Sequence, residues 1–417
     1  MVFAFLIAIM TLRQFLSTFF LFLIGSYILL YAFPFPLNHI PLTYDLFSKY
    51  VMALQEKYIL FFGHEILGLE SFEKIQLTGS GDTTYDYVRI PALFTLSFFI
   101  GLLLSLLKYT QTKGLEFYNW MLVYARYFVG LTLISYGVAK FLEGQFAGPS
   151  FYSMEILVGD ISPMGLAWRF FGYSDTYKIF MGLSEIIAGL LLLIRRTSIL
   201  GALVSIAVCL NIVLVNFSFD VPVKLFSSHL LLFSALILIP KIKPIFEFFL
   251  LNRQSNLGEI KPHFTQKRAR IIRLVLVLYF AAFIPITTVV SHFQSQKFRT
   301  FENEWEGLYT LIDFDTNRPW NKLILEDNFM MLQLNYGPKE FWNIQEIKDD
   351  GVLVIKNQKD ESNPHELKIK KSDDEHYEIQ LRLGNKTVNT IGKRKEKSSY
   401  ELTKRGFHWI NEYPYNR

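Results

Sequence analysis

Residues 124–146 read YARYFVGLTLISYGVAKFLEGQF. Everything between Arg126 and Lys140 is uncharged, and most of it is apolar. A membrane-crossing helix needs about 20 such residues, so the segment reads as a span. The two cations are the anomaly, because a charged side chain in the bilayer costs from about 2.5 to well over 10 kcal/mol, depending on how it is measured. Working outward, the chain supplies other spans and other charges.

The chain has 417 residues, of which 51% are hydrophobic and 19% charged, with mean hydropathy +0.26. A soluble domain carries about 25% charged residues, so the deficit points to a membrane protein. The formal net charge of +5 is too small to suggest nucleic acid as a partner. Cys209 is the only cysteine and sits in an apolar run, which excludes an intramolecular disulfide, a dithiol centre or a cysteine-based metal site. The first residues, MVFAFLIAIMTLRQFLSTFFLFLIGSYILLYAF, are apolar for longer than a signal peptide's core and lack a small-residue cleavage site. They read as a retained anchor.

Seven stretches qualify as spans, near 13–33, 90–107, 119–140, 177–194, 198–215, 223–240 and 272–290. Lys and Arg favour the cytoplasmic side. The loop 241–271 carries Lys241, Lys243, Arg253, Lys261, Lys267, Arg268 and Arg270 against Glu247 and Glu259; RRTS follows the fourth span, and Lys108 and Lys113 follow the second. Alternating spans put all three on one side, with anionic lipid at hand for the basic loop. The acidic loop 34–89 falls opposite, as does 141–176, which holds Glu143, Glu155, Asp160 and Asp175 against Arg169. The reading is a multi-pass membrane protein, N-terminus inside and C-terminus outside.

From about residue 300 the pattern changes. GLYTLIDF, NKLILEDNFMMLQLNYG, GVLVIKNQ, HELKIKKS, HYEIQLRLG and KTVNTIGKRK alternate apolar and polar residues between turn formers. Short strands at this spacing predict an antiparallel β domain, barrel or sandwich. The expected organisation is N-terminal spans with a long external loop over 1–118, a helical bundle over 119–245, a basic loop and last span over 246–298, and an external β domain over 299–417.

The charges within the spans form the candidate site. Arg126 and Lys140 are close to four turns apart, on one helix face and separated by about 21 Å. Glu185 lies mid-span among Gly182, Ser184, Ala188 and Gly189, which permit close helix approach. NFSFDVPVKLFSSHLLLF adds Asn216, Asp220, Lys224 and His229. Asp220 reads as an N-cap with Pro222 in the first turn, which would pair Asp220 with Lys224 at i,i+4. Three readings are open. The cations snorkel to headgroups, or an ion-pair network fixes helix register, or the charges line a polar pocket. The specific expectation is that Glu185 or Asp220 holds Lys140.

ARYFVGLTLISYGVAKF, then GLSEIIAGLLLLIRRTSILGALVSIAVCLNIVLVNFSFDVPVKLFSSHLLLFSALIL, resembles the DoxX/DoxD-like family of bacterial membrane proteins. The likeness covers about 119–245 and rests on the Arg and Lys flanking a GL…S…G…K helix, a Glu in a Gly-bounded helix, and DVPVK opening a last helix. It implies a four-helix membrane bundle with Arg126, Lys140 and Glu185 at the family's polar positions. It also implies a redox-linked role, as in thiosulfate:quinone oxidoreductase. Three extra spans and the β domain lie outside the resemblance.

Other motifs carry little chemistry. The eight histidines show no HExxH and no i,i+4 pairing. GHEIL at 63–67 is one His and one Glu in a loop. TGSGDTTYDYVR at 78–89 lacks the strand and helix of a nucleotide site and reads as a turn with an external binding role as the alternative. NKT at 385–387 fits a glycosylation sequon, without meaning in a bacterial protein. The ending LTKRGFHWINEYPYNR is dense in aromatics and reads as a last strand and tail packed on the β domain, or as a docking segment.

Two functions follow. In the first, a quinone is the cofactor, bound near Arg126, Lys140 and Asp220. Lys140 or Lys224 stabilises a developing oxyanion, and Glu185 or His229 transfers protons. In the second, the protein is a non-enzymatic envelope scaffold that meets a protein partner through residues 299–417.

Overall fold

The computed structural model describes residues 12–40, 48–74, 79–107, 110, 112–142, 145–257, 266–297, 304–312, 320–334, 339–348, 351–358, 364–373, 375–384 and 386–415. Lys108, Glu143, Glu259, Lys261, Asn385 and Thr78, used above, lie outside them, as do residues 1–11 of the first apolar run. The chain divides into two units: residues 1–145 with 175–290, and residues 146–174 with 291–417. The segment 146–174, which the sequence reading placed in the bundle, groups with the C-terminal residues.

In the first unit, α1 is Leu12–Ala32, α2 Ala53–Phe61, α3 Thr84–Leu106 and α4 Gly114–Phe141. Among the described residues, seven helical stretches are long and apolar enough to cross a membrane: Leu12–His39, Thr84–Leu106, Gly114–Phe141, Asp175–Leu193, Arg195–Ser218, Lys224–Phe249 and Arg270–Gln294. This is the seven-span pattern expected from the sequence. The second span begins earlier than its hydropathy suggests because Thr83 and Asp86 form a reciprocal capping box that starts α3. The acidic loop before it is itself partly helical, through α2.

The second unit supplies α5 (Phe151–Met154) and α6 (Pro163–Tyr173) in chain order. Back in the bundle, α7 (Asp175–Leu193), α8 (Ser198–Ser218) and α9 (Lys224–Leu238) complete a ring with α4: α4 packs on α7, α7 on α8, α8 on α9, and α9 on α4. α1 packs on α3 and α4. α10 (Ile242–Phe249) follows α9 within the basic loop, and α11 (Lys267–Lys297) is the last long helix. Small residues occupy the contacts. Ser97, Ser105 and Ser234 are fully buried and return their hydroxyls to the carbonyls four residues back, each at 2.7 Å. Large apolar side chains such as Phe99, Leu103, Leu214 and Leu274 point outward. An apolar exterior over a small-residue interior is what hydrocarbon solvent selects.

In the second unit, eight antiparallel strands close a barrel in sequential order, from β1 (Gly307–Leu311) to β8 (Lys386–Lys395). β1 meets both β2 (Trp320–Glu326) and β8, with Leu308 opposite Ile324 and Lys395. Alternate residues, among them Tyr309, Leu323, Leu325, Met330, Leu332, Leu353, Leu367 and Leu381, fill the interior, as expected for a barrel of this size. β4 (Lys339–Ile347) is the strand that sequence reading missed. Its register shifts between Ile344 and Glu346, and this bulge breaks the alternation.

The 146–174 segment is fastened to the outside of the barrel. Phe151 packs with Leu308, Ile324 and Met331. The backbone N–H groups of Phe151 and Tyr152 donate to the Glu326 carboxylate at 3.1 and 3.4 Å, and Lys397 reaches the same carboxylate at 2.8 Å. Glu155 accepts from Lys322 at 2.5 Å and Tyr400 at 2.7 Å, with Lys395 at 3.5 Å. Burial pushes the Glu155 carboxyl up, but these hydrogen bonds and the charges of Lys322 and Lys395 outweigh it and hold it below its ordinary range.

The C-terminal tail is not a last strand. After β8 come a short turn and α12 (Glu401–Lys404), and three aromatics beyond are exposed: Phe407, Trp409 and Tyr413, at 79, 90 and 85%. The packed-tail reading is therefore corrected.

Candidate functional site

α4 and α7 meet through glycine. A Cβ at Gly137 would lie 2.5 Å from the Gly182 carbonyl oxygen, and one at Gly182 would lie 2.8 Å from that of Gly137. Gly130 and Gly189 face each other in the same way farther along. Two backbones this close bring side chains on the facing surfaces within reach of each other. Lys140 leans toward the N-terminal end of its helix, as helical side chains do, and its Nζ donates to both oxygens of Glu185 at 2.7 and 2.8 Å. Lys140 is 8% exposed and Glu185 2%. The Lys140 ammonium also lies 5.9 Å from the centre of the Tyr136 ring.

The other candidate residues are in separate groups. Lys224 pairs with Asp220 at 2.7 Å and has Asp82 at 3.8 Å. Asp220 is therefore Lys224's partner, not that of Lys140. Nor is Asp220 an N-cap: it takes positive φ (+51°), and the helix begins only at Lys224, after Pro222. The cap comes from a distant loop. Asp82 accepts from the backbone N–H groups of Lys224 and Leu225 at 2.7 and 2.9 Å, and the Gly81 N–H donates to the Pro222 carbonyl at 2.8 Å. The GSGD turn thus works within the fold, closing the N-terminus of α9.

His229 is buried and lies apart from Lys140 and Glu185. Its Nδ1 faces the Leu225 carbonyl oxygen at 2.7 Å, so Nδ1 carries a proton; Nε2, at 2.7 Å from the Tyr27 hydroxyl, is left to accept. The ring stacks on Tyr31 at 3.9 Å. Arg89 covers Tyr31 from outside, 5.0 Å from the ring centre, and donates to the Tyr31 carbonyl at 2.9 Å. Among the described residues Arg89 has no carboxylate at ion-pair distance. Arg126 is buried, with its guanidinium against Tyr127. The four groups do not merge into the single cluster expected from the sequence.

A cavity of about 250 Å³ lies between α3, α4 and the start of α9, with Tyr31, Asp86, Arg89, Tyr136, Leu225 and Phe226 among its walls. Tyr136 connects it to the Lys140–Glu185 pair, and Tyr31 separates it from His229. The residues that sequence reading missed here are Tyr27, Tyr31, Asp82, Arg89 and Tyr136. Arg89 and Asp82 had a signal, a cation just inside a span and an acid in a flagged turn. A tyrosine in an aromatic-rich span has none. Among the described residues no group of His, Cys, Asp and Glu could hold a metal ion.

Over 113 residues, 27% of this chain and 71% of the relative, the sequence is 40% identical to a protein of Bacillus subtilis (strain 168) named "Uncharacterized protein YwoB". The chain belongs to the YwoB family. Membership assigns no reaction, because YwoB's own name states none. No protein-family model matches the chain, and no solved structure matches it. The chemistry of this YwoB-family protein is argued from its geometry.

Proposed function

We propose that this chain is a multi-pass protein of the bacterial inner membrane, DoxX-like in its four-helix ring, that binds a quinone-type molecule in a redox-linked role. The observation that carries the reading is the cavity beside Arg89. It offers a guanidinium with no carboxylate at ion-pair distance among the described residues, a phenol from Tyr136, and apolar walls from Leu225 and Phe226. That donor set fits a flat ring bearing carbonyl oxygens, and a bound quinone supplies acceptance of two electrons and two protons. Lys140 and Lys224 are already held by carboxylates, so Arg89 takes over the role of holding an oxygen that gains negative charge. Tyr27 and His229 form a hydrogen-bonded pair behind Tyr31 that can pass a proton. The test is solvent extraction of the purified full-length chain. Stoichiometric quinone in the wild type, lost in Arg89→Gln, supports the reading; none in the wild type overturns it.

One observation favours the scaffold reading, in which the barrel unit meets a protein partner. The exposed tail aromatics Phe407, Trp409, Ile410 and Tyr413 form the kind of surface that partners cover. A stable complex that is lost on deleting 405–417, with no quinone in the extract, would support this reading against the first.

A further inference from the structure

The bundle has a second cavity, unrelated to the one beside Arg89. It is a groove of about 490 Å³ between α4, α7 and α11, walled by Trp120, Tyr124, Leu131, Leu193, Leu276 and Phe280. This volume lies within the range of small-molecule sites. The walls are apolar, and the polar groups gather at the rim. There the Tyr127 hydroxyl accepts from Arg273 Nε at 2.7 Å and from the Arg126 guanidinium at 3.3 Å. Both guanidiniums lie against the Tyr127 ring, 5.1 and 5.9 Å from its centre. Arg195, in the turn between α7 and α8, is within electrostatic reach of Arg126.

Three features of this rim are unusual. Arg126 is 6% exposed, yet among the described residues its buried Nε has no hydrogen-bond partner. Among the described residues, no carboxylate pairs with Arg126, Arg195 or Arg273. The Tyr127 oxygen already accepts two hydrogen bonds, so its own proton remains to be donated. The same bundle does pair its other buried cations, Lys140 with Glu185 and Lys178 with Asp175. Among the described residues, Arg126 is thus the buried cation of the bundle that has no carboxylate, and two further unpaired arginines stand beside it. Clustered guanidiniums and a phenol supply donors only, so they need an acceptor-rich anion. The planar guanidinium fork matches phosphate.

We propose that this site holds an anionic glycerophospholipid, its phosphate between Arg126, Tyr127 and Arg273 and an acyl chain in the groove. The groove decides for a lipid over a free anion, since an inorganic phosphate would leave apolar walls beside it unused. The wall toward α11 faces hydrocarbon: Ile272 and Leu276 are 61 and 47% exposed. Arg195 marks the membrane face where two spans turn, so the lipid comes from that leaflet. If that face is cytoplasmic, it is the leaflet richest in anionic lipid.

The test uses the full chain purified in mild non-ionic detergent, with bound lipid read by native mass spectrometry and by chromatography of the extract. The wild type is expected to retain stoichiometric phosphatidylglycerol or another anionic phospholipid in preference to zwitterionic lipid. Arg273→Gln is expected to retain about tenfold less or lower still, the loss of a charge-assisted bond. Leu276→Trp fills the groove while leaving the arginines intact, and should also release the lipid. Retention in Leu276→Trp, or replacement of the lipid by inorganic phosphate in a competition, would show a simple anion site and overturn the proposal. So would a wild type without anionic lipid, or equal retention in Arg273→Gln. If Arg273→Gln does not fold, Tyr127→Phe and Leu276→Trp carry the same comparison.

Discussion

Lys140 and Lys224 show how burial changes the meaning of an ion pair. Lys140 and Glu185 are both nearly excluded from solvent and bonded through both carboxylate oxygens. Breaking such a pair costs about 3–5 kcal/mol, whereas removing both members can be nearly neutral. Lys140→Met should therefore lower the thermal midpoint in detergent, and Lys140→Met with Glu185→Gln should recover most of the loss. Strictly additive shifts would show that the two do not share energy. Lys224 behaves differently because Asp220, its nearest partner, is 82% exposed. Asp220→Asn should change stability by less than about 1 kcal/mol. Asp82 caps α9 with a side chain only 8% exposed, and Asp82→Ala should cost about 0.5–2 kcal/mol. Equal effects at Asp82 and Asp220 in thermal unfolding would contradict the capping role.

At the scale of elements, helix approach is set by glycine. Gly137 and Gly182 touch backbone to backbone, so a methyl at 137 must move α4 away from α7. Gly137→Ala should destabilise the bundle by about 1–3 kcal/mol, as overpacking does. It should also weaken the energetic coupling between Lys140 and Glu185, which a double-mutant cycle on that background would measure. The 146–174 segment is held to the barrel by charge. Glu155 has its carboxyl below the ordinary value of 4.5. Its contribution is therefore present above that pH and lost as pH falls through the lower, folded value. Glu155→Gln should lose about 1.5–3 kcal/mol at neutral pH, the worth of hydrogen bonds to a charged group. The difference from wild type should be constant from neutral to mildly alkaline pH and shrink in strong acid. A difference that shrinks toward high pH instead would assign the effect to another group.

For the whole molecule, seven helical stretches long and apolar enough to cross a membrane among the described residues, taken with basic turns inside, predict a barrel unit outside the cytoplasm. Lys113, Arg195, Arg196, Lys241 and Lys243 all fall on the expected inner side of the described spans. A C-terminal alkaline phosphatase fusion should be active, and a C-terminal green fluorescent protein exported unfolded should be dark. The reverse result would mean that the chain crosses the membrane an even number of times.

The sequence by itself determined the kind of elements and their order. Seven apolar stretches are visible because lipid solvent demands long, uncharged helices. Most of the barrel is visible because alternation at period two is a local property of each strand. Lys140 and Glu185 were legible as candidates for the same reason: charge within a span is conspicuous wherever it points. What only the tertiary structure decided is who meets whom. The glycine faces of α4 and α7 bring Lys140 to Glu185, while Asp82, from a loop more than a hundred residues earlier, takes the capping role that Asp220 was expected to fill. The bulge in β4 conceals a strand, and 146–174 joins the barrel through Glu155 and Glu326. Arg126, one anomaly in the opening stretch, proves to share Tyr127 with Arg273, almost 150 residues away in the chain. Local pattern records how a segment treats its solvent. Pairing depends on where two distant backbones come to lie, and no single segment carries that information.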